Sequence, residues 1–441
     1  MKYGVINMAK KDDELVLLID RNELERKAKD NKLNDSDAQN FVDSIMTNYF
    51  LDNDNINFLE SKDISFFKFS IKEDCFCISG KKFGDCCFNK LSDKIDDKYV
   101  PYIKSLMTEN DYNDYIKRMD EIFNTEFKKY KNEVNCFFPN CESKPVENKF
   151  YHDVETNDFV TSKIYNPFDA RYKIGDNFFA NVDEKTFTYF GFCEAHYNEL
   201  KEIKFQNDFE DLDVLKMSLE TIVFRLFFQM VQFKSSHYEY LKGYNSVPEE
   251  GFKAYMTVHM RKVSGILKGM LNLYKNISDN IANNTMARLK IGTLNLPGQK
   301  NFICRDLVSP QVTPEDFKMV NSVNNVLLTP KFIVQSMITN KKETKVFYLY
   351  EKFDGPIADF VKQYQLRLIK KSANEFFVSN TSLILADTIL FSKKGFNKRD
   401  EQDQILYSAL NKFRFDQPDI GREYMKMQFF AGFDRGNNFF N

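Results

Sequence analysis

Apolar positions along this chain change their period from region to region, and the changes predict its elements. Leu15 to Ile19 is a short apolar run of strand character. Asp35 to Phe50 opens on capping residues and carries Phe41, Ile45, Met46 and Phe50 at helical steps, so a helix is expected there, with a turn over Asn53 to Asn57. Phe66 to Ile71 alternates weakly, as a strand would. Over 93–134, Tyr112, Tyr115, Ile116, Met119, Ile122, Phe123 and Phe127 recur every three or four residues and form one apolar stripe of a helix.

Two longer periodic stretches follow. Asp211 to Leu241 places Leu215, Leu219, Ile222, Val223, Leu226, Phe227, Met230 and Val231 on one face. Lys253 to Ile281 does the same with Met256, Met260, Val263, Leu267, Met270, Tyr274 and Ile277. A break at Gly243 to Gly251 separates them, which reads as a helical hairpin. From about Ala287 the period shortens. Runs at 290–294, 301–307, 324–330, 345–353, 375–380 and 381–392 are short, apolar and punctuated by Pro, Asn, Gly or charge, the pattern of antiparallel strands. A last helix is expected over Asp400 to Phe413, before an aromatic tail.

The fold class expected is therefore α+β and multidomain. The boundaries read as an N-terminal segment 1–72, a small module 73–92, a connecting helix 93–134, a second module 135–205, a helical hairpin 206–285 and a C-terminal domain 286–441 with a mainly antiparallel sheet. At 441 residues, 43% hydrophobic and 29% charged, with 45 Phe and 22 Tyr, the chain can build several cores. The formal net charge of −2 excludes a global basic field for nucleic acid. The most apolar stretch, Thr221 to Phe233, contains Arg225, Gln229 and Gln232 and is too short to span a bilayer. Together with an N-terminus that does not read as a signal peptide, this predicts a cytoplasmic protein with no membrane partner. Abundant Lys, Asn, Asp, Ile and Phe with no Trp point to an AT-rich bacterial or phage genome.

The chemistry lies in the cysteines. Seven of the eight fall in clusters and Cys304 stands alone within an apolar run, where a buried small side chain is expected. Cys75, Cys77, Cys86 and Cys87 offer four thiols within thirteen residues, a closed four-cysteine set for tetrahedral zinc. Gly80 and Gly84 would allow the reversal that brings the second pair to the first. Lys81 and Lys82 would favour the thiolate forms. Further on, Cys136 and Cys141 are paired with Cys193 and His196 across positions 142–192, the composition of a zinc site with three cysteines and one histidine. Two zinc ions are thus expected. No Walker A loop, GxGxxG or HExxH signature occurs.

Around the first cluster, Ser79-Gly80-Lys81-Lys82-Phe83 between the two cysteine pairs resembles the SEC-C motif, a zinc-binding accessory module. Phe76 stands for its usual Pro and Ile78 for its usual Gly. The resemblance covers about residues 73–90 and implies docking to a protein or nucleic acid partner. Around the second cluster, Lys144-Pro145-Val146, Phe192-Cys193 and His196 resemble a bacterial group with a degenerate HNH-like, treble-clef zinc finger. That group carries Ser-His where this chain has Asn148-Lys149, so a catalytic role would fall to His152. The combined resemblance implies a bacterial accessory or effector protein with a macromolecular partner, in phage defence or a toxin or stress system. An HNH-like nuclease and an oligomeric scaffold assembled through the aromatic tail, Phe429 to Phe440, are the alternatives. His237 and His259 fall on helical patterns with no companion ligands.

Overall fold

A computed structural model describes residues 7–11, 14–18, 69–87, 127–162, 179–182, 187–246, 250–310, 329–368 and 388–396, with single or paired positions at 121, 124–125, 313, 318, 320–321, 378, 382 and 385–386. The helices expected over 35–50 and 400–413, the turn at 53–57 and the aromatic tail all lie outside these residues. Within them the chain is α+β, and it divides into two compact units. Among the described residues, no helix is long and apolar enough to cross a membrane.

The first unit takes 1–133, 229–268 and 323–329. It opens with β1 (Asn7–Lys11) and β2 (Glu14–Leu18), an antiparallel pair in register from Asn7 opposite Leu18 to Lys11 opposite Glu14. Residues 69–71, the end of a predicted strand, run as bend and turn into the first cysteine cluster. Residues 127–133 are helical, as the stripe predicts, and bring Tyr130 into the core at 0% exposure. Its hydroxyl donates to Met230 Sδ, and the Lys234 ammonium lies 4.6 Å above its ring. Phe69, Phe76, Phe83 and Phe233 complete this core, with ring centroids 5.0–6.3 Å apart. Pairs at such spacings, tilted or edge-on, satisfy the quadrupole preference of aromatic rings.

The second unit takes 134–228, 269–322 and 330–441. A short helix, α1 (Glu194–Lys201), precedes the two long ones, α2 (Asp211–Ser246) and α3 (Glu250–Asn283). Both long helices are shared: 211–228 and 269–283 belong to this unit, and 229–246 and 250–268 to the first. They run further than the sequence predicts, through Gly243 and into Glu250. A glycine inside a helix costs only about 1 kcal/mol.

Two sheets belong to this unit. One is the two-residue pair β3 (Asn148–Lys149) and β6 (Thr188–Tyr189). The other has seven strands, all antiparallel: β4 (Phe159–Ser162), β5 (Phe179–Asn181), β7 (Leu289–Pro297), β8 (Phe302–Val308), β9 (Ile333–Thr339), β10 (Glu343–Glu351) and β11 (Ile389–Ser392), in the order β5-β4-β11-β8-β9-β10-β7. Strands β8, β9 and β10 are buried almost throughout, including the polar side chains of Arg305, Asp306, Gln335 and Ser336, so burial on them does not alternate. One sheet face packs Ile338 and Phe347 against Val214 and Met217 of α2. Helix α4 (Gly355–Leu368) lies against β7 and β10.

Two strand expectations are corrected. Val378, Ser382 and Leu385 are buried and helical, where 375–380 and the first half of 381–392 were expected to be extended. Their steps of four and three carry the helical period, which a short apolar run does not reveal by composition. Among the described residues of these two runs, only Ile389–Ser392 forms a strand. Conversely, α4 carries legible signals. Asp354 Oδ1 accepts the Ile357 amide at 3.2 Å as an N-cap, Pro356 sits in the first turn, and Ile357, Phe360 and Val361 are buried.

Candidate metal centres

The first cluster is built by a tight reversal. Asp74 and Lys82 form an antiparallel bridge, with Cys75 N–H donating to Lys81 O at 2.8 Å and Phe83 N–H to Glu73 O at 2.8 Å. Between them, Ile78 (φ 58°) and Gly80 (φ 75°) take left-handed backbone. Gly80 does so without cost. Gly84 serves otherwise: a Cβ there would sit 3.0 Å from both Cβ and O of Ile71, so the need is for close approach and not for a turn. Lys82 turns to Asp74 at 2.7 Å, an exposed pair, rather than to the thiols.

This reversal brings Cys75, Cys77, Cys86 and Cys87 together, all buried, their sulfurs within 4.8 Å of one another. The Cys77 sulfur lies 3.4 Å from that of Cys75 and 3.5 Å from that of Cys86. A disulfide needs about 2.05 Å, whereas sulfurs held about 2.3 Å from a tetrahedral zinc stand roughly 3.8 Å apart. The spacing fits the second arrangement. The charges point the same way. Cys77 is held far below the usual thiol range by its side-chain hydrogen bonds with Cys75 and Cys87, to which the Ser79 hydroxyl and amide add. Cys75 is pushed up to about 12, chiefly through its bond to Cys77, and Cys87 is pushed up strongly by Cys75 and Cys77. A cation at the centre would favour the thiolate forms of such crowded sulfurs.

The second cluster draws on three local structures. The first is the knuckle 136–141, in which Cys136 N–H donates to Ser143 O at 2.8 Å, Cys141 N–H donates to Phe138 O at 3.2 Å, and Asn140 takes φ 59°. The second is the β3–β6 pair. The third is α1, which carries Cys193 at its N-cap and His196 in its first turn. Asn148 joins the second to the third. Fully buried, its Oδ1 accepts the amides of Gly191 at 3.0 Å and Phe192 at 2.7 Å, and its Nδ2 donates to Phe192 O at 3.2 Å. Gly191 is obligatory beside it, since a Cβ would meet Tyr189 and Val223 at 2.6 Å.

Cys136, Cys141, Cys193 and His196 converge, with ligand atoms within 4.8 Å of one another. His196 Nδ1 lies 3.5 Å from Cys136 Sγ and 3.3 Å from Cys193 Sγ, and the Cys141 and Cys193 sulfurs are 3.9 Å apart. A tetrahedral zinc spaces sulfur and nitrogen about 3.6 Å apart, so this set fits too. Phe138 stacks on the His196 ring at 4.0 Å and 7°, fixing its orientation. Burial pushes Cys136 up to about 12 despite amide donors from Cys193 and Phe138. Burial also acts on Cys141, but the Ser143 amide and hydroxyl outweigh it and hold that thiol below its usual range.

His152 joins neither cluster. Its Nδ1 lies 3.2 Å from Glu220 Oε1, with the two side chains 9% and 4% exposed, and its ring meets that of Tyr197 edge-on. Next to it, Asp153 pairs with Arg305 of β8, and the Arg305 charge holds Asp153 below the usual carboxylate range despite burial. Tyr151 (φ 59°) points its hydroxyl into the sheet, accepting Arg305 N–H at 2.9 Å and donating to Thr388 O at 3.1 Å where the β8–β11 ladder ends. This network was not foreseen, because it assembles from residues up to 237 positions apart. Lys149, by contrast, is exposed, its backbone clamped by the Tyr197 hydroxyl. Cys304 is buried in β8 as expected. His237 and His259 are helical. Compared with known proteins, the chain matches no family model, no curated protein and no solved structure.

Proposed function

We propose that this chain is a two-zinc protein in which both ions are structural, and that it acts by recognising a macromolecular partner. The carrying observation is that two separate groups each bring four thiol or imidazole donors to tetrahedral spacing. Four protein ligands leave no position for a substrate water, which separates structural from catalytic zinc. The donor types, all sulfur or sulfur with one imidazole, suit zinc over calcium or magnesium. When bound, each ion would offset part of the charge of its thiolates and fix the chain segments that carry them. Cys75 to Cys87 hold the reversal, and Cys136, Cys141, Cys193 and His196 tie the knuckle to the start of α1.

Partner recognition rests on the resemblance of 73–90 to the SEC-C module, and the phage-defence or stress setting rests on the same resemblance and that of the second region. The nuclease alternative would need His152 as a base. Its Nδ1 pairing with Glu220 and its near-complete burial favour a bracing role. The test is a pull-down of the zinc-loaded protein from native cells, with and without nuclease treatment. A specific protein or nucleic acid, captured by the intact chain and not by Cys86→Ser, supports the proposal. Capture unaffected by metal loss, or none at all, counts against it.

A further inference from the structure

The first centre has a feature that its four ligands do not explain. Ser79 Oγ lies 3.2 Å from the Cys77 sulfur and 3.3 Å from the Cys86 sulfur, across one edge of the sulfur tetrahedron. The same oxygen accepts the Lys81 amide at 3.4 Å. A hydroxyl whose lone pair is taken by an amide has its proton available for another acceptor. With the cysteines as thiolates, that acceptor is sulfur.

A divalent ion held by four thiolates carries a net charge of −2. Here its four sulfurs are buried, on the segment that also carries the buried rings of Phe76 and Phe83. Lys82, one of the two lysines between the cysteine pairs, pairs with Asp74 instead. Such a charge is tolerable in an apolar setting only when donors point at the sulfurs. Backbone amides supply some of these, and Ser79 adds a side-chain donor. Its place is secured by the left-handed residues on either side, Ile78 and Gly80, which turn position 79 inward.

We propose that Ser79 is a positioning residue of the first centre: once Cys77 and Cys86 are thiolates, its single hydroxyl proton is shared between their two sulfurs and thereby sets the affinity of that centre for its ion. This rests on the metal-binding reading of the first cluster. It concerns one centre only, and the second should not respond.

The experiment is cadmium-113 NMR of the full chain, in which four-sulfur and three-sulfur sites give separate signals, combined with chelator competition for zinc. Ser79→Ala should shift the four-sulfur signal, leave the other in place and weaken zinc at the first centre about tenfold. Ser79→Thr, which keeps the hydroxyl, should restore both readings. An unshifted signal with unchanged affinity in Ser79→Ala overturns the proposal. If Ser79→Ala does not fold, the near-isosteric pair Ser79→Thr and Ser79→Val replaces it. A metal-loaded crystal structure then gives a second check, and Ser79 Oγ beyond hydrogen-bond reach of both sulfurs would also overturn it. Absence of any four-sulfur signal from the unaltered protein would instead remove the metal-binding reading itself.

Discussion

Phe76 and Ile78 flank Cys77, and their surroundings give each a physical meaning. Phe76 is wholly buried, with its ring centroid 5.0 Å from that of Phe233 and 5.7 Å from that of Phe83. Replacing a buried Phe by Ala costs about 3–5 kcal/mol, so urea unfolding of the metal-loaded Phe76→Ala protein should show a loss of that order. A loss under about 1 kcal/mol would mean that the aromatic cluster does not support the centre. Ile78 holds φ 58°, a conformation that costs an L-residue roughly 1–2 kcal/mol and a β-branched one most of all. Ile78→Gly should therefore raise the unfolding midpoint, and a lowered midpoint would show that packing of this side chain outweighs the strain. The ligands themselves were legible because thiols at short spacing have few other uses in such a chain. The bracket formed by Asn148 was not: an asparagine in sequence carries no sign that its amide will join three groups 43 and 44 positions away.

Elements were legible where one period persisted. The stripes run from Leu215 to Val231 and from Met256 to Ile277, about five and six turns, and the helices that carry them form and extend beyond the expected ends. The short apolar runs after Ala287 were less informative. Strand β9 contains Gln335 and Ser336, both buried, which hide it from an apolar count, and the helical positions at 378–385 look like strand for the converse reason. The joint between β8 and β11 is likewise invisible in sequence. Tyr151 inserts there and takes up Arg305 N–H and Thr388 O, which lie past the last ladder pair, Cys304 opposite Ile389. Tyr151→Phe strands those two buried groups and should cost about 1–3 kcal/mol by chemical denaturation. No change would place water in the joint. The neighbouring Asp153 has a pKa held below its unfolded value of about 3.9 by Arg305. A depressed folded pKa stabilises fully above the unfolded value, and that stability is lost as pH falls through the folded one. Asp153→Asn should therefore lower stability at neutral pH and flatten its decline below pH of about 4. A parallel decline in both proteins would show that the pair contributes nothing.

At the scale of the whole molecule, the class was readable from the order of periods, helical then strand, but the division was not. The two compact units each gather discontinuous segments, and both long helices are shared between them, an arrangement that no local composition signals. Each unit contains one cysteine-rich group, Cys75 to Cys87 in the first and Cys136 to His196 in the second. That distribution makes metal content the most direct measurement. Elemental analysis of the reductant-treated, gel-filtered protein should give two zinc ions per chain. It should give one in Cys86→Ser and one in Cys193→Ser. Well under one zinc in the unaltered chain, or two retained in both variants, would contradict the reading of these clusters as two independent metal centres.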